Sequence, residues 1–438
     1  MAVLARLTEI VFATLWAVAL TGIFWRPTAL VQAGALLVAV YAVLAVLGAR
    51  RQVQGLCAAM AAVGVAVAWW TGGWGALPRA AEASPIFAAF FGTLALLRAT
   101  ADLRPEIARA RALVERLNGA ERAGGLMIGA NLLGVVLIVS VMAVFAPIVG
   151  RDAPEAQRLA AAEACQRGMC MACLWSPYWI AMAVCYQHLP DVPLWQIMVL
   201  GFALAAVGLV IAQLIYGEGV GLGGLWRALK GFAPVMPLVG VAAALVLTLK
   251  ALTPLSTLQA LVTGVPALCL AGLVAQGPDR LLGALAATRR GAAGVKGEMA
   301  ILVFALTLGR VLEGLLAEGG VNQAIAAHAP PGWAAVAIVV AGMAGLALIG
   351  VHQIVTGTVM LVVFGKLALG VSPLVLMEAV LVGWCFASMS GISAVSVAAA
   401  GTMFGMPLER VAYGANLRFV AAFGVVAIVA LAALNAVL

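Results

Sequence analysis

The sequence predicts an all-α fold, a polytopic bundle of transmembrane helices with two inverted repeats that contain re-entrant or broken helices. Of the 438 residues, 65% are hydrophobic and only 10% are charged, whereas ordinary globular domains have about 25% charged residues. The mean hydropathy is +1.13. This composition excludes a soluble globular, disordered or collagen-like chain, although Gly occurs 49 times.

Long apolar segments are the second observation behind this fold class. A spanning helix needs about 20 apolar residues, because the hydrocarbon core is about 30 Å thick and each residue rises by about 1.5 Å. The segments of this kind are 9–25, 28–48, 54–71, 193–216, 232–250, 254–276, 298–317 and 413–437, with a shorter one at 85–98. Residues 125–149, 165–189 and 333–404 are apolar but less simple. No polar stretch is long enough for a soluble domain, so residues 1–438 are expected to form a single membrane domain.

One polar stretch, 99–124, interrupts the apolar segments. Ile107, Ala110, Val114 and Leu117 recur in it at helical spacing, among five Arg and four acidic residues. This pattern predicts an amphipathic helix that lies on the cytoplasmic membrane surface. An ordinary loop helix with a solvated face is the alternative.

The third observation comes from the basic residues, which give the chain a net charge of +8. Basic loops stay in the cytoplasm, so Arg6 predicts a cytoplasmic N-terminus. We expect the membrane to be a bacterial inner membrane. The basic stretches 99–124 and 277–298 should also be cytoplasmic. If 125–149 and 165–189 both crossed once, the loop 277–298 would face outside. One of them must therefore re-enter, and re-entrant backbone is tolerated only where protein or water satisfies it, which indicates a functional site.

A weak internal similarity relates residues 85–216 to residues 298–437. The matches are Ser176 with Ser390, Pro193 with Pro407 and Leu194 with Leu408 at an offset of 214, and Arg98 with Arg310 at an offset of 212. The orientation argument makes the two repeats inverted, and secondary transporters of that design bind substrate at the repeat interface. Residues 1–72 are then scaffold helices, and residues 232–276 link the repeats.

Two polar motifs interrupt the apolar stretches at equivalent places. Ser176 and Pro177 lie in the middle of 165–189, where Pro removes a backbone donor and should break the helix. A kinked structural helix is the alternative. The counterpart motif is Ser388, Ser390, Gly391, Ser393 and Ser396, whose hydroxyls could bind Na⁺ or a carboxylate in an unwound segment. A plain seam of small residues for helix packing is the alternative there.

Three further residues are ionisable groups within apolar segments. His352, followed by Thr356, is a candidate for binding substrate or a coupling proton; the alternative is a His bonded to a carbonyl at a turn. Arg310 and Glu313 are three residues apart and so share one helix face, where they can pair. A structural pair near a helix end is the alternative.

The surface helix at 99–124, the Ser176-Pro177 break and the Ser388–Ser396 stretch together resemble the ion transporter superfamily of secondary carriers. That superfamily includes dicarboxylate/sodium symporters, arsenite permeases and the large subunits of TRAP permeases. The resemblance covers residues 85–437 and implies inverted repeats, each with a re-entrant hairpin and a broken helix. The chain lacks the Ser-Asn-Thr signature of the dicarboxylate members.

The leading functional hypothesis is a secondary active transporter for a small organic anion such as a carboxylate, coupled to Na⁺ or H⁺ and working by alternating access. The expected substrate-binding residues are Ser176, Pro177, Ser388, Ser390, Gly391, Ser393, His352 and Thr356. The expected ion-coupling residues are His352, Ser396, Glu313 and Arg310. We expect no enzymatic activity, no metal and no cofactor apart from the coupling ion. The expected partners are the bilayer and the solute, without nucleic acid, and a homodimer is an open alternative to a monomer.

Two alternatives belong to other functional classes. A cation/proton antiporter needs a buried carboxylate, for which Glu313 and Glu378 are the candidates. An intramembrane enzyme acting on lipid-linked substrates needs catalytic groups at a membrane-facing loop, and the predicted external loops are short and poor in such groups.

Overall fold

The computed structural model of the chain describes residues 2–117, 119–217, 221–233, 236–317, 329–367 and 370–438. These residues form helices and turns without a strand, which confirms the predicted all-α fold. Ten of the described helical stretches are long and apolar enough to cross a bilayer. The chain is therefore an integral membrane protein, since a helix satisfies its backbone polar groups internally.

The chain divides into two compact units, each built from two separate segments. Unit 1 comprises Met1–Thr100 and Thr248–Ala329. Its helices are α1 (Ala2–Phe24), α2 (Thr28–Leu47), α3 (Arg51–Thr71), α4 (Ala76–Ala83), α5 (Pro85–Ala101, with its last residue in unit 2), α14 (Thr257–Val274), α15 (Pro278–Gly294) and α16 (Lys296–Ala317). Most of these helices coincide with predicted spans.

Helix α15 occupies most of the basic stretch 277–298, where the sequence predicts a loop. Its residues are mainly Ala, Leu and Arg, which favour helix. Pro278 is well placed at the first helical position, where no intrahelical N–H is needed. The basic residues are thus presented on a helix.

Unit 2 comprises Ala101–Leu247 and Pro330–Leu438. Its helices in the first segment are α6 (Pro105–Glu115), α7 (Gly119–Leu137), α8 (Val141–Val149), α9 (Glu155–Met171), α10 (Ile180–His188), α11 (Leu194–Tyr216) and α12 (Gly221–Gly231). Helix α13 (Met236–Leu252) continues from unit 2 into unit 1. The second segment of unit 2 contains α17 (Gly332–Leu348), α18 (Gln353–Lys366), α19 (Pro373–Ser390), α20 (Val395–Phe404), α21 (Leu408–Ala412) and α22 (Asn416–Val437).

The amphipathic helix predicted for 99–124 is shorter than expected. Only α6 lies wholly within that stretch, because α5 extends to Ala101 and α7 begins at Gly119. The predicted apolar face is present in α6, where Ile107, Ala110 and Val114 are buried. Pro105 begins the helix and Glu106 lies in its first turn, where a carboxylate is favourable.

The apolar stretch 125–149 folds back on itself as a hairpin, hairpin 1 (α7 and α8). A short 3₁₀ turn at Ile138–Ser140 separates the two helices, and Ile138 has a φ of 50°, which is rare for a β-branched residue. The Phe145 ring contacts Gly129, where a Cβ atom would lie 2.7 Å from Phe145 Cζ. In one straight helix these residues would be about 24 Å apart. The chain therefore reverses direction at Ile138.

Helices α17 and α18 form hairpin 2 in the second segment of unit 2. The turn between them contains Gly350, whose φ of 93° suits glycine. Across the hairpin, the Met360 methyl lies 3.2 Å from where a Cβ on Gly342 would be. His352 is the N-cap residue of α18.

The helix at 165–189 is broken where Pro177 predicted a break, and α9 and α10 are the two parts of interrupted helix 1. A 3₁₀ turn at Ala172–Leu174 follows α9, and residues 175–179 are not helical. Pro177 cannot donate the backbone hydrogen bond that a continuous helix would need.

A second break divides α19 from α20, which together form interrupted helix 2. Residues 391–394 are not helical. Gly391 ends α19 in an extended conformation, and Ala394 precedes α20 in a similar one. Both breaks expose backbone polar groups inside unit 2, since helix ends leave carbonyl oxygens without intrahelical partners.

Candidate functional site

The Ser176 hydroxyl stabilises the first break instead of facing an open space. It donates to the Val135 carbonyl oxygen on α7 at 2.8 Å and accepts from the Tyr178 backbone N–H at 3.2 Å. The Trp179 indole N–H donates to the Gly134 carbonyl oxygen at 3.1 Å. Ser176 and Pro177 are both buried, so interrupted helix 1 is fixed to hairpin 1 at its break.

Residues of the second break make a different set of contacts. The Ser390 hydroxyl donates to Phe386 O within its own helix at 2.8 Å. The Ser396 hydroxyl donates to the Ser388 carbonyl oxygen, across the break. The Ser393 Oγ atom is buried without a hydrogen-bond partner among the described residues. Within the described part of the chain, the Ser393 hydroxyl is therefore available to a ligand at this break.

His352 and Thr356 begin helix α18 at the tip of hairpin 2. The His352 Nδ1 atom accepts the Ile354 backbone N–H at 3.2 Å, as an N-cap side chain does. The Thr356 hydroxyl donates to the Gln353 carbonyl oxygen at 3.3 Å. Both side chains are buried. The alternative interpretation of His352 was a hydrogen bond to a carbonyl at a turn, whereas the bond observed is to a backbone N–H.

Arg310 and Glu313 form the ion pair that their spacing predicts. Arg310 Nη1 lies 2.8 Å from Glu313 Oε2, and both side chains are partly exposed. The pair is on α16 in unit 1, whereas the other predicted site residues are all in unit 2. The structure therefore does not group this pair with the two breaks within one unit.

A set of buried polar residues in unit 2, which we call the polar cluster, joins α9 to the second break and to the start of α22. Its members are Glu163, Gln166, Arg167, Ser388, Ser396 and Asn416. All are at most 5% exposed. Three of them lie on successive turns of α9, at positions i, i+3 and i+4, and so point to the same side of that helix.

Gln166 connects the two interrupted helices. Its Nε2 atom donates to the Ser388 carbonyl oxygen at 3.4 Å, and its Oε1 atom accepts from Asn416 Nδ2 at 3.3 Å. The Ser388 carbonyl also accepts from the Ser396 hydroxyl. This carbonyl is free to do so because the break at Gly391 removes its helical partner. The broken backbone and the cluster are therefore one hydrogen-bonded system.

Arg167 is the cation of the polar cluster. Its Nη1 atom donates to Asn416 Oδ1 at 2.6 Å, a short, charge-assisted hydrogen bond. Its guanidinium carbon lies 4.0 Å from the centre of the Tyr216 ring, a cation–π geometry. The Nε atom is buried without a hydrogen-bond partner among the described residues. One N–H of this guanidinium is thus unsatisfied.

Glu163 has its own partner at the start of α22. Its Oε1 atom accepts the Ala415 backbone N–H at 2.7 Å, a favourable position for a carboxylate because the positive end of the helix dipole lies there. Gly414 leaves room for this approach, since a Cβ atom there would overlap Glu163 Oε1. Arg167 is not among the ion pairs of the described residues, so its charge is not compensated by direct contact.

The position of α9 depends on close packing against α7. A Cβ atom on Gly168 would overlap the Met127 carbonyl oxygen. Asn131, an isolated polar residue of α7, donates from Nδ2 to the Gly168 carbonyl oxygen at 3.1 Å. These contacts fix the part of α9 that contains Gln166 and Arg167.

Glu378 is a second buried acidic residue, on α19. It is 0% exposed, and neither carboxylate oxygen has a hydrogen-bond partner among the described residues. Its titratable neighbours are the thiols of Cys173, Cys185 and Cys385 on three different elements. All seven cysteines of the chain are buried.

Four of these residues were missed by sequence reasoning: Glu163, Gln166, Arg167 and Asn416. The signal available was a polar helix, 155–171, adjoining the Pro177 break. The contacts of Gln166 and Arg167 with Asn416 could not be read from the sequence, because about 250 residues separate the partners.

Comparison of the sequence with models of known protein families finds no match, and comparison with curated proteins finds none either. The resemblance to the ion transporter superfamily stays a prediction.

Proposed function

We propose that this protein is a secondary active membrane transporter for a small organic anion, coupled to Na⁺ or H⁺, with its substrate site in unit 2. The observation that supports this most directly is the polar cluster, which links two interrupted helices through the Gln166–Ser388 hydrogen bond. Interrupted helices are tolerated in membranes where protein or water satisfies their free backbone groups, and secondary transporters use such helices to form their substrate sites.

The order of elements in unit 2 supports an internal repeat. Hairpin 1, interrupted helix 1 and α11 follow one another in the first segment. Hairpin 2, interrupted helix 2 and α22 follow in the same order in the second. Pro193 and Pro407, which the sequence similarity paired, are both N-cap residues of the helix that follows an interrupted helix.

The hairpins also support inverted repeats, because a hairpin that enters and leaves on one side removes the orientation conflict. If hairpin 1 enters and leaves the membrane on one side, interrupted helix 1 is the next segment that crosses it. Counting onwards, the basic helix α15 then lies in the cytoplasm, as the positive-inside rule requires. In this count hairpin 1 enters from the cytoplasm and hairpin 2 from the opposite side, which is the inverted relation.

Arg167 is the best candidate for binding the anion. A buried guanidinium is costly unless it is paired. Among the described residues Arg167 has one hydrogen bond, to Asn416, and one aromatic contact, to Tyr216. Glu163 is near enough to attract this guanidinium without forming an ion pair. The Nε edge of a guanidinium can bind a carboxylate through two parallel hydrogen bonds. A carboxylate substrate would therefore complete the pairing of Arg167.

Counterflow uptake of labelled carboxylates into proteoliposomes tests this function. Arg167→Gln is expected to abolish uptake and Arg167→Lys to weaken it strongly, because Lys cannot form the bidentate contact. Arg109→Gln, on the exposed face of α6, is the matched control and should transport like the wild type. If no carboxylate shows counterflow with the wild-type protein, the proposal fails.

A cation/proton antiporter is the second candidate function, and the buried carboxyl of Glu378, which has no hydrogen-bond partner in the described part of the chain, favours it. Such exchangers need a buried carboxylate that can bind an ion or a proton. Glu378→Gln should then abolish Na⁺-driven proton movement in proteoliposomes, while an anion carrier coupled through other groups would keep carboxylate counterflow in the same variant.

A further inference from the structure

Unit 1 has a groove of about 410 Å³ along one face of α1. Phe12, Trp16 and Leu20 lie along its floor at helical spacing. Leu270 of α14 and Leu285 of α15 form its edge and are 39% and 43% exposed, so the groove is open to the exterior. Its volume is within the usual range of small-molecule sites, about 300–1,000 Å³.

The groove is charged at one end only. From Thr8 to Leu20 it follows α1 for about 18 Å, more than half of a hydrocarbon core about 30 Å thick. At the Thr8 end lie Glu9, Arg289 and Lys296. All other lining residues beyond Thr8 and Thr288 are apolar or aromatic. A ligand with a polar head and an apolar tail matches this distribution.

The polar end has one cation in excess. Arg289 Nη2 lies 2.7 Å from Glu9 Oε2, so these two charges are paired. Lys296 has no ion-pair partner among the described residues. The Lys296 Nζ atom lies at the C-terminal end of α2, 3.4 Å from where a Cβ atom on the C-cap residue Gly48 would be, and a cation is favourable there. An anion at this end would be favourable because Lys296 adds a positive charge that no acidic side chain of the described residues pairs with.

We propose that the groove binds one acyl chain of an anionic phospholipid, with the headgroup phosphate at Lys296. Helix α1 is long and apolar enough to cross the membrane, so its open groove faces acyl chains. Lys and Arg at the interface attract anionic headgroups. A zwitterionic lipid has the same tail but lacks the net negative charge that Lys296 attracts. This site is independent of the substrate site in unit 2.

Native mass spectrometry of the full-length protein in detergent tests the proposal, with titrations of phosphatidylglycerol and phosphatidylcholine of identical acyl chains. The wild type should bind phosphatidylglycerol about fivefold more tightly, the effect of one basic residue near a membrane surface. Lys296→Gln should remove this preference. Ala13→Phe, which fills the groove, should weaken the binding of both lipids.

Arg280→Gln is the matched control, because Arg280 is an exposed residue of α15 that does not line the groove. It should keep the preference. Equal affinity of the wild type for the two lipids would overturn the proposal. An equal loss of the phosphatidylglycerol preference in Lys296→Gln and Arg280→Gln would also overturn it. Displacement of the lipid by sn-glycerol 3-phosphate would show a site for soluble phosphates instead. Thermal unfolding of each variant ensures that a loss of binding is not a loss of folding.

Discussion

Replacing Asn416 with Ala removes the side chain that joins Arg167 to Gln166. The 2.6 Å bond to Arg167 involves a charged donor and should contribute about 1.5–3 kcal/mol. The 3.3 Å bond to Gln166 should contribute about 0.5–1 kcal/mol. Because Asn416 is 0% exposed, water does not replace either partner easily. The expected loss in the free energy of unfolding of unit 2 is therefore about 2–4 kcal/mol.

Asn416→Asp separates stability from charge. It keeps an acceptor for Arg167 and loses only the weaker bond, so its thermal midpoint in detergent should lie well above that of Asn416→Ala. The new carboxylate neutralises the guanidinium, however, and should abolish carboxylate counterflow. A wild-type midpoint for Asn416→Ala would refute the stabilising role of the cluster. Wild-type counterflow for Asn416→Asp would refute the role of the Arg167 charge.

Three other substitutions test the contacts around the site. Gly168→Val should prevent α7 and α9 from packing and reduce the yield of monodisperse protein, whereas Gly345→Val, with open space around its Cβ position, should not. His352→Ala should cost about 1 kcal/mol as a lost N-cap and His352→Asn much less; equal thermal midpoints would contradict the capping role. Ser176→Ala should lower the free energy of unfolding by about 1 kcal/mol through the lost hydrogen bond to Val135. Because the Ser176 hydroxyl already donates to that carbonyl, the substitution should leave substrate affinity unchanged. A changed affinity would contradict a role for Ser176 that is limited to holding the break.

The sequence was most informative where a local rule determines the backbone. Apolar segments of sufficient length predicted the spanning helices, and Pro177 and Gly391 predicted the two breaks, because proline and glycine act on their own backbone. The predicted amphipathic helix, 99–124, is longer than α6, because helical spacing in the sequence continues into the end of α5 and the start of α7.

No local rule of this kind predicts the turn of hairpin 1. Its turn consists of Ile138, Val139 and Ser140, with neither Gly nor Pro, and hydropathy measures the length of an apolar segment but not its direction. Only the conflict with the basic loops indicated that 125–149 or 165–189 does not cross. The choice between them required the contact of Phe145 with Gly129.

Arg167 also sets a condition on how the protein is made. Its partner Asn416 is synthesised 249 residues later, which at 5–20 residues per second takes roughly 12–50 s. During that time α9 contains a guanidinium and a carboxylate whose partners do not yet exist, so its stable insertion among the other helices is disfavoured. Unit 2 should therefore mature only after α22 has left the ribosome, and chains truncated before Asn416 should remain sensitive to membrane proteases.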